Sequence, residues 1–409
     1  GAMLLLTAAL LSFAYYANAD YNYKYKYFVQ GGLSMETSSR FGRDVEAGLK
    51  LAGVHWGLFP SIQTAWLLSS EDFFNREALG INSLKLSAGY DVSGNDDVAI
   101  TASRTSLSAT RFMNNSVGLV LNNIGNTGIQ WETTHRLRVG LDLTEYNNIL
   151  AFSLNFFKSY TNNLLTLKSL PEITGEGYYW SNDGSLENIG LDFGVRFKLL
   201  NRKNWKWELG ANATAYKNKI TALPDGDYTT TIYGANVLTS VGRAAGVFYG
   251  YETDGVYATQ QEAEEAGLTL VSTTGEVTPF AAGDMKFVDH VQDGIINEKD
   301  MVVIGNPNPD VYGNLYSNLS YKRLSLNMNF NYSFGNDIYN YQRSQLESGS
   351  QFFNQTTALN RRWIAEGHHT DIPKATFGDP MGNARFSDRW IEDGSYLRLR
   401  SVTLSYELP

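Results

Sequence analysis

The segment Asp289-His290-Val291-Gln292-Asp293-Gly294-Ile295-Ile296-Asn297-Glu298-Lys299-Asp300 carries the sharpest chemical spacing in the chain. An EF-type calcium loop needs oxygen ligands at its first, third, fifth, ninth and twelfth positions, with glycine at the sixth for a sharp turn. Asp289, Asp293, Gly294, Ile296, Asn297 and Asp300 fit that frame. Val291 has no ligand atom for the third position, and Asp300 is shorter than the usual twelfth-position glutamate. The expectation is at most weak Ca2+ binding, through the carboxylates of Asp289, Asp293 and Asp300 and the carbonyl of Ile295, at about 2.3–2.6 Å. The alternative is a rigid Asp-Gly turn without an ion. His368, His369 and Asp371 lack a further ligand at helical spacing, and Glu262, Glu264 and Glu265 read as a solvated helix face. No Gly-rich phosphate loop, HExxH, nucleophile elbow or paired-cysteine motif appears. The chain reads as a non-enzyme with no cofactor beyond that Ca2+ candidate.

Composition narrows the setting. The 409 residues include 18% charged, 13% aromatic and no cysteine, with 38 Gly and 9 Pro. Soluble domains carry roughly 25% charged residues. Without cysteine there is no disulfide framework, zinc ribbon or thiol chemistry. A net charge of -9 offers no basic footprint for nucleic acid.

The elements that would hold any site are strands. In Leu324–Phe334 the even positions are Leu324, Leu326, Met328, Phe330, Tyr332 and Phe334, and every odd position is Ser or Asn. Such alternation gives one apolar and one polar face. It recurs around Leu137–Leu143, Leu150–Phe156, Leu191–Lys198 and Trp205–Leu209. Several runs reach ten residues or more, against about five or six in globular strands and about 9–11 in membrane-crossing ones. We place strands at 4–20, 25–38, 52–69, 82–94, 97–107, 131–144, 148–166, 185–200, 204–220, 311–321, 323–335 and 395–408. Short helices are placed at 70–79, 260–266 and 356–366. The apolar run Ala2–Ala19 is assigned to a strand. As a signal peptide it lacks a cationic start, and as a transmembrane helix it lacks cationic flanks.

Tight polar turns around Thr144–Asn148, Asn201–Asn204 and Lys322–Arg323 alternate with long stretches at 221–310 and 342–393. Short turns on one rim and long loops on the other is the layout of an outer-membrane barrel. Leu326, Met328, Phe330 and Tyr332 should then face lipid, and Asn327, Asn329 and Asn331 the lumen. Tyr146, Trp205 and Tyr321 would sit in interfacial girdles. The fold class is all-β, a transmembrane antiparallel barrel with long extracellular loops. Within those loops Tyr249, Tyr251, Tyr257, Phe352, Phe353 and Trp363 are candidates for stacking on sugar rings or docking a partner.

A string of motifs carries a resemblance. Gly283-Asp284-Met285-Lys286-Phe287 leads into Asp293-Gly294, Asp300 and Val303-Ile304-Gly305-Asn306-Pro307-Asn308-Pro309. Ser38-Ser39-Arg40-Phe41-Gly42, Phe59-Pro60-Ser61, Asn122-Asn123-Ile124-Gly125-Asn126 with Trp131-Glu132, and Asn188-Ile189-Gly190 come before it. Gly250-Tyr251 with Asp254-Gly255-Val256-Tyr257 lies between, and Gly335-Asn336-Asp337-Ile338-Tyr339-Asn340 and Asp393-Gly394-Ser395-Tyr396-Leu397-Arg398-Leu399-Arg400 follow. In this order they resemble the barrel of SusC/RagA-like TonB-dependent outer-membrane transporters of Bacteroidetes.

That resemblance implies a plugged barrel of about 22 strands, a bacterial outer-membrane location and energy from TonB through an N-terminal region missing from this sequence. It implies a SusD-like surface lipoprotein as lid and an oligosaccharide or oligopeptide as cargo, within outer-membrane lipid. Residues 1–409 would be a barrel portion of a longer polypeptide, with 221–310 and 342–393 as extracellular loop regions. Two other readings stay open: a glycan-binding or adhesive barrel without transport, and a secreted all-β glycan-binding or hydrolase domain.

Overall fold

A computed structural model describes residues 11–112, 116–145, 147–170, 173, 178–223, 226–272 and 274–408. It divides into a wall unit (Gly1–Gly226, Val311–Tyr332 and Leu397–Pro409) and an insert unit (Asp227–Asp310 and Ser333–Tyr396). Among the described residues no helix is long and apolar enough to cross a membrane.

The wall unit is built on one twelve-stranded sheet. Its strands follow chain order: Ser12–Tyr23, Tyr27–Ser38, Val54–Leu67, Ile81–Asn95, Glu132–Glu145, Leu150–Asn162, Ser185–Asn201, Trp205–Ala222, Val311–Tyr321, Leu324–Phe334 and Tyr396–Tyr406. The short strand Leu49–Leu51 pairs beside this path with Val54–Leu67. Each ladder whose register is known is antiparallel, as hairpin connections require.

The register converts the sequence alternation into two continuous faces. One row across the sheet reads Asp20, Gln30, Gln63, Gly89, Arg138, Phe157, Gly190 and Tyr216. The adjacent row, on the other face, reads Tyr21, Val29, Thr64, Ala88, Val139, Phe156, Leu191, Ala215 and Val311. On that second face Val139 is 50% and Leu191 47% exposed.

Connections at the two strand ends differ. Those at 24–26, 146–149, 202–204 and 322–323 are short, and 68–80 is longer and carries the helix Arg76–Leu79. At the opposite ends 39–53, 96–131 and 163–184 are long and partly folded. Aromatic rings gather at the short-turn ends of the strands. Tyr27 stacks on Trp66 at 6.2 Å between centroids, and Trp205 packs on Tyr321 at 4.3 Å. Beside them the Glu71 carboxylate accepts from Tyr27 Oη at 2.7 Å, Trp66 Nε1 at 2.9 Å and Lys26 Nζ at 3.0 Å.

Four expectations need correction. The strand placed at 97–107 is absent. Val98 and Ala102 are buried with Ile129 in a turn cluster, and the strand that follows, Ser106–Phe112, pairs among the described residues only with Ser116–Asn123. The helix at 70–79 shrinks to Arg76–Leu79, and the one at 356–366 to a 3-10 turn at Thr357–Arg361. The first strand spans Ser12–Tyr23; its expected start at 4–10, like Tyr146, lies outside the described residues. Finally, 221–310 and 342–393, expected as loop regions, carry strands and helical turns of their own.

They make up most of the insert unit, which has its own sheets and core. Tyr228–Ile232, Ala235–Thr239, Val247–Gly250 and Val302–Gly305 form a four-stranded sheet. Thr253–Val256 pairs with Met285–Phe287, and Asp337–Tyr339 with Ile391–Asp393. The helix Gln260–Ala266 falls where expected, capped by the Thr259 side chain. Val256, Tyr257, Ala263, Phe280, Met285, Phe287, Ile296 and Met381 form the core.

Candidate functional site

In the insert unit, the acidic segment folds as a turn held by its own carboxylates. Asp289 Oδ1 accepts from Gln292 N at 2.7 Å and Oδ2 from Gly294 N at 2.8 Å. Asp300, fully buried, accepts from Val291 N at 3.2 Å and Asn297 N at 2.9 Å. Asp293 Oδ1 accepts from Ile295 N at 3.0 Å, and the Ile295 carbonyl accepts from Asn297 Nδ2 at 3.3 Å. Gly294 supplies the positive φ of 77° that the turn needs. Burial opposes ionisation of Asp289, but the N–H groups of Gly294 and Gln292 outweigh it and hold the carboxyl below the usual carboxylate range. Among the described residues no three His, Cys, Asp or Glu side chains converge as a metal site. The carboxylate oxygen atoms of Asp289, Asp293 and Asp300 point at backbone donors, and the Ile295 carbonyl at the Asn297 side chain.

The motif Gly283–Phe287 is a second polar knot in the same unit. Asp284, 1% exposed, accepts from Ala281 N at 2.9 Å and Asn383 Nδ2 at 2.9 Å, and pairs with Lys374 Nζ at 3.1 Å. Every buried charge needs such partners. Gly283 has φ 83°, and a Cβ there would lie 2.5 Å from the Trp363 ring, so no other residue fits. The motif's partners Lys374 and Asn383 were not legible from sequence, and Trp363 was read as a ring for a ligand or partner; all three come from the segment Ser333–Tyr396.

The six aromatic candidates separate. Tyr257 is 3% exposed, with its hydroxyl pushed up to about 12 by burial and the nearby Asp284 and Glu262 charges. Tyr251 and Trp363 pack against the same core, and Trp363 Nε1 donates to Ala258 O at 3.0 Å. These three rings stabilise the unit and Tyr257 is closed to a ligand. Tyr249 is half-buried on a sheet strand. Phe352 and Phe353 are 88% and 75% exposed, and Phe352 stacks on Phe377 at 4.7 Å. Phe377, itself 66% exposed, was missed; its flanks Ala-Thr and Gly-Asp give no periodic signal.

The wall unit has a candidate surface of its own, outside the loop residues expected from sequence. Asp20, Gln30, Gln63, Lys85, Asp91, Arg138 and Asn155 line a depression of about 640 Å³ on the polar face. Lys85 pairs with Asp142 at 2.8 Å and Arg136 with Asp91 at 3.4 Å across strands. A Cβ on Gly140 would lie 2.3 Å from Asn155 Oδ1 and 2.6 Å from Ser87 Oγ, so glycine keeps these polar side chains close. The signal was the charge at alternate positions of Ile81–Asn95 and Glu132–Glu145. The arrangement can hold a polar, hydrogen-bonding surface of mixed charge.

Comparison with known proteins fits this architecture. No family model matches the chain. The TonB-dependent receptor P26 of Formosa agariphila is 31% identical over 97% of this chain and 39% of its own length. The TonB-dependent receptor SusC of Bacteroides thetaiotaomicron is 25% identical over 96% of this chain and 37% of its own length. Among solved structures, the RagAB peptide transporter superposes with a TM-score of 0.75 at 21% identity, covering 98% of this chain and 41% of that one. This chain thus spans about two fifths of the relatives it matches. Sequence and fold agree along nearly its whole length: the chain is similar to a stretch of the SusC/RagA-like TonB-dependent receptors, and its strands form an antiparallel wall with the fold of their barrels.

Proposed function

We propose that this chain is part of the barrel of an outer-membrane importer that takes up oligosaccharides or oligopeptides with energy from TonB. The observation that carries the reading is the two-faced wall. Its strands run eleven to eighteen residues, with one apolar face left exposed and one polar face. A soluble protein rarely exposes apolar patches beyond a few hundred Å², whereas a lipid-facing barrel wall must. The polar face would line the lumen, and the insert unit, with residues 221–310 and 342–393, would stand on the extracellular side. There Phe352, Phe353 and Phe377 would meet a SusD-like lipoprotein lid or cargo. The names of the relatives support import through TonB; cargo class and lid are inferences from the family.

The test uses the full polypeptide that contains this chain. Heat-modifiable gel mobility in detergent reports the barrel. Uptake of fluorescent oligosaccharide and oligopeptide mixtures is then compared in cells with and without TonB. TonB-dependent accumulation of either class is expected. Accumulation that ignores TonB would remove the TonB-driven reading, binding at the cell surface without accumulation would leave only a glycan-binding barrel, and a protein soluble without detergent would remove the membrane reading altogether.

A further inference from the structure

Two neighbouring short turns concentrate positive charge that the import reading does not use. Arg202 and Lys203 lie between strands Ser185–Asn201 and Trp205–Ala222, and Lys322 and Arg323 between Val311–Tyr321 and Leu324–Phe334. The turns are joined, because Lys322 N donates to Asn204 O at 2.8 Å. All four cations are exposed, and none belongs to an ion pair among the described residues. At the adjoining strand end lies Glu407, whose N–H donates to Arg323 O at 2.9 Å. In a chain of net charge -9 this is a local reversal of sign.

What lies beside the cations points to the ligand. Lys322 Nζ sits 5.3 Å over the Tyr321 ring, and Tyr321 packs on Trp205. Trp and Tyr favour the headgroup level of a bilayer. On the same face the register continues from the Trp205–Tyr321 pair to Trp207–Leu319 and Ala211–Leu315, and Leu324 follows on the next strand. Trp205, Tyr321, Leu324 and Leu315 are each 38–43% exposed. Cation cluster, aromatic pair and apolar strip thus repeat the order of a phospholipid: phosphate, ester region, acyl chain.

We propose that these turns bind the headgroup of an anionic phospholipid, with its acyl chains on the strip from Trp205 to Leu315. The proposal rests on the membrane-barrel reading. A basic cluster adds about 1 kcal/mol of attraction per Lys or Arg near an anionic surface, or roughly fivefold in affinity.

The experiment measures binding of dioleoylphosphatidylglycerol and dioleoylphosphatidylcholine to the detergent-purified full polypeptide by native mass spectrometry. The variant Arg202→Gln, Lys203→Gln, Lys322→Gln, Arg323→Gln is compared with Lys50→Gln, Arg104→Gln, Arg111→Gln, Arg243→Gln, which removes four exposed cations from long connections. The first should lose the preference for phosphatidylglycerol, by roughly fivefold per cation; the second should keep it. Equal loss in both variants, or none in the first, overturns the site. Full displacement by millimolar inorganic phosphate overturns the lipid as ligand in favour of a free anion. Heat-modifiable mobility is checked on each sample. If the unaltered protein lacks it, the barrel reading fails and this site falls with it; if it is present and the lipid preference is unaffected, only this site falls.

Discussion

The wall unit and the insert unit solve the burial of apolar side chains in opposite ways. The wall has few buried large side chains for its size, and Leu191, Phe193 and Val139 stand exposed on one face. Its cohesion comes from backbone ladders and cross-strand neighbours such as Phe152–Phe193 at 5.3 Å. The insert unit instead closes a core around Phe287, Met285 and Tyr257, all 3% exposed or less, and buries the Asp284 carboxylate against the partly exposed Lys374. On the proposed barrel reading the wall takes its apolar surrounding from lipid, whereas the insert unit brings its own. A substitution should therefore be judged by face in one and by depth in the other.

The largest effect is expected in the insert core. Phe287→Ala removes a ring that touches Tyr251, Phe280 and Arg385, and should cost about 3–5 kcal/mol. Chemical denaturation of the full polypeptide would read it; a cost near zero would break the idea of a closed core. Next comes Met328→Arg on the apolar face of the wall, expected to cost about 2–4 kcal/mol near a bilayer midplane. Asn329→Arg, one residue along, should be tolerated, although Asn329 loses its contact to Ser401 at 3.2 Å. Equal assembly yields for the two in outer-membrane fractions would remove the distinction between faces.

A smaller loss is expected for Asp300→Ala. It strips the acceptor from Asn297 N, worth about 1–3 kcal/mol for a donor left unsatisfied, while Val291 N, on a residue 47% exposed, can turn to water. Thermal unfolding with and without Ca2+ sharpens the result. A rise in Tm with Ca2+ that disappears in Asp300→Ala would make the turn an ion site, and an unchanged Tm makes it a carboxylate-capped turn.

The smallest effect concerns Glu71 at the short-turn end of the wall. Hydrogen bonds from Tyr27, Trp66 and Lys26 lower its carboxyl from 4.5 to about 2. A depressed folded value means that its stabilisation is whole above pH 4.5 and is lost as pH falls towards about 2. Acid unfolding followed by tryptophan fluorescence should therefore begin at higher pH in Glu71→Gln. Coincident curves would show that the knot adds nothing.

The same contrast explains what the sequence disclosed. Wall strands such as Leu324–Phe334 and Leu150–Asn162 were legible because every second residue repeats one requirement over a long run. The segment 97–107 misled because Val98 and Ala102 look like strand residues, while their burial comes from Ile129, far along the chain. In the insert unit the helix at 260–266 was legible from its cap and acidic face, but the sheets were not, for the same reason. Its strands are three to five residues long, and their partners are distant, as in Asp337–Asp393 and Val256–Met285. The aromatic residues Tyr251, Tyr257 and Trp363 were visible as a composition signal, but whether a ring faces a core or solvent is decided by those distant partners. The Asp289–Asp300 spacing marked a real turn; the backbone donors that occupy its oxygen atoms carry no residue identity to read.

The core of the insert unit is assembled from two separate chain segments. Met285 and Phe287 come from the first and Met381 and Trp363 from the second, and Met285 N donates to Asn383 Oδ1 across them at 2.9 Å. Between the two, the chain makes the hairpin Val311–Phe334. The first insert therefore waits, its apolar residues uncovered, until that hairpin and the second insert have been made. Such long-range closure is slow and exposes the chain to aggregation. It also couples the inheritance of the two segments: exchanging one with a relative would leave Asp284 without Lys374 or Gly283 against the wrong ring. A new specificity carried by these loops would have to arrive as a matched pair.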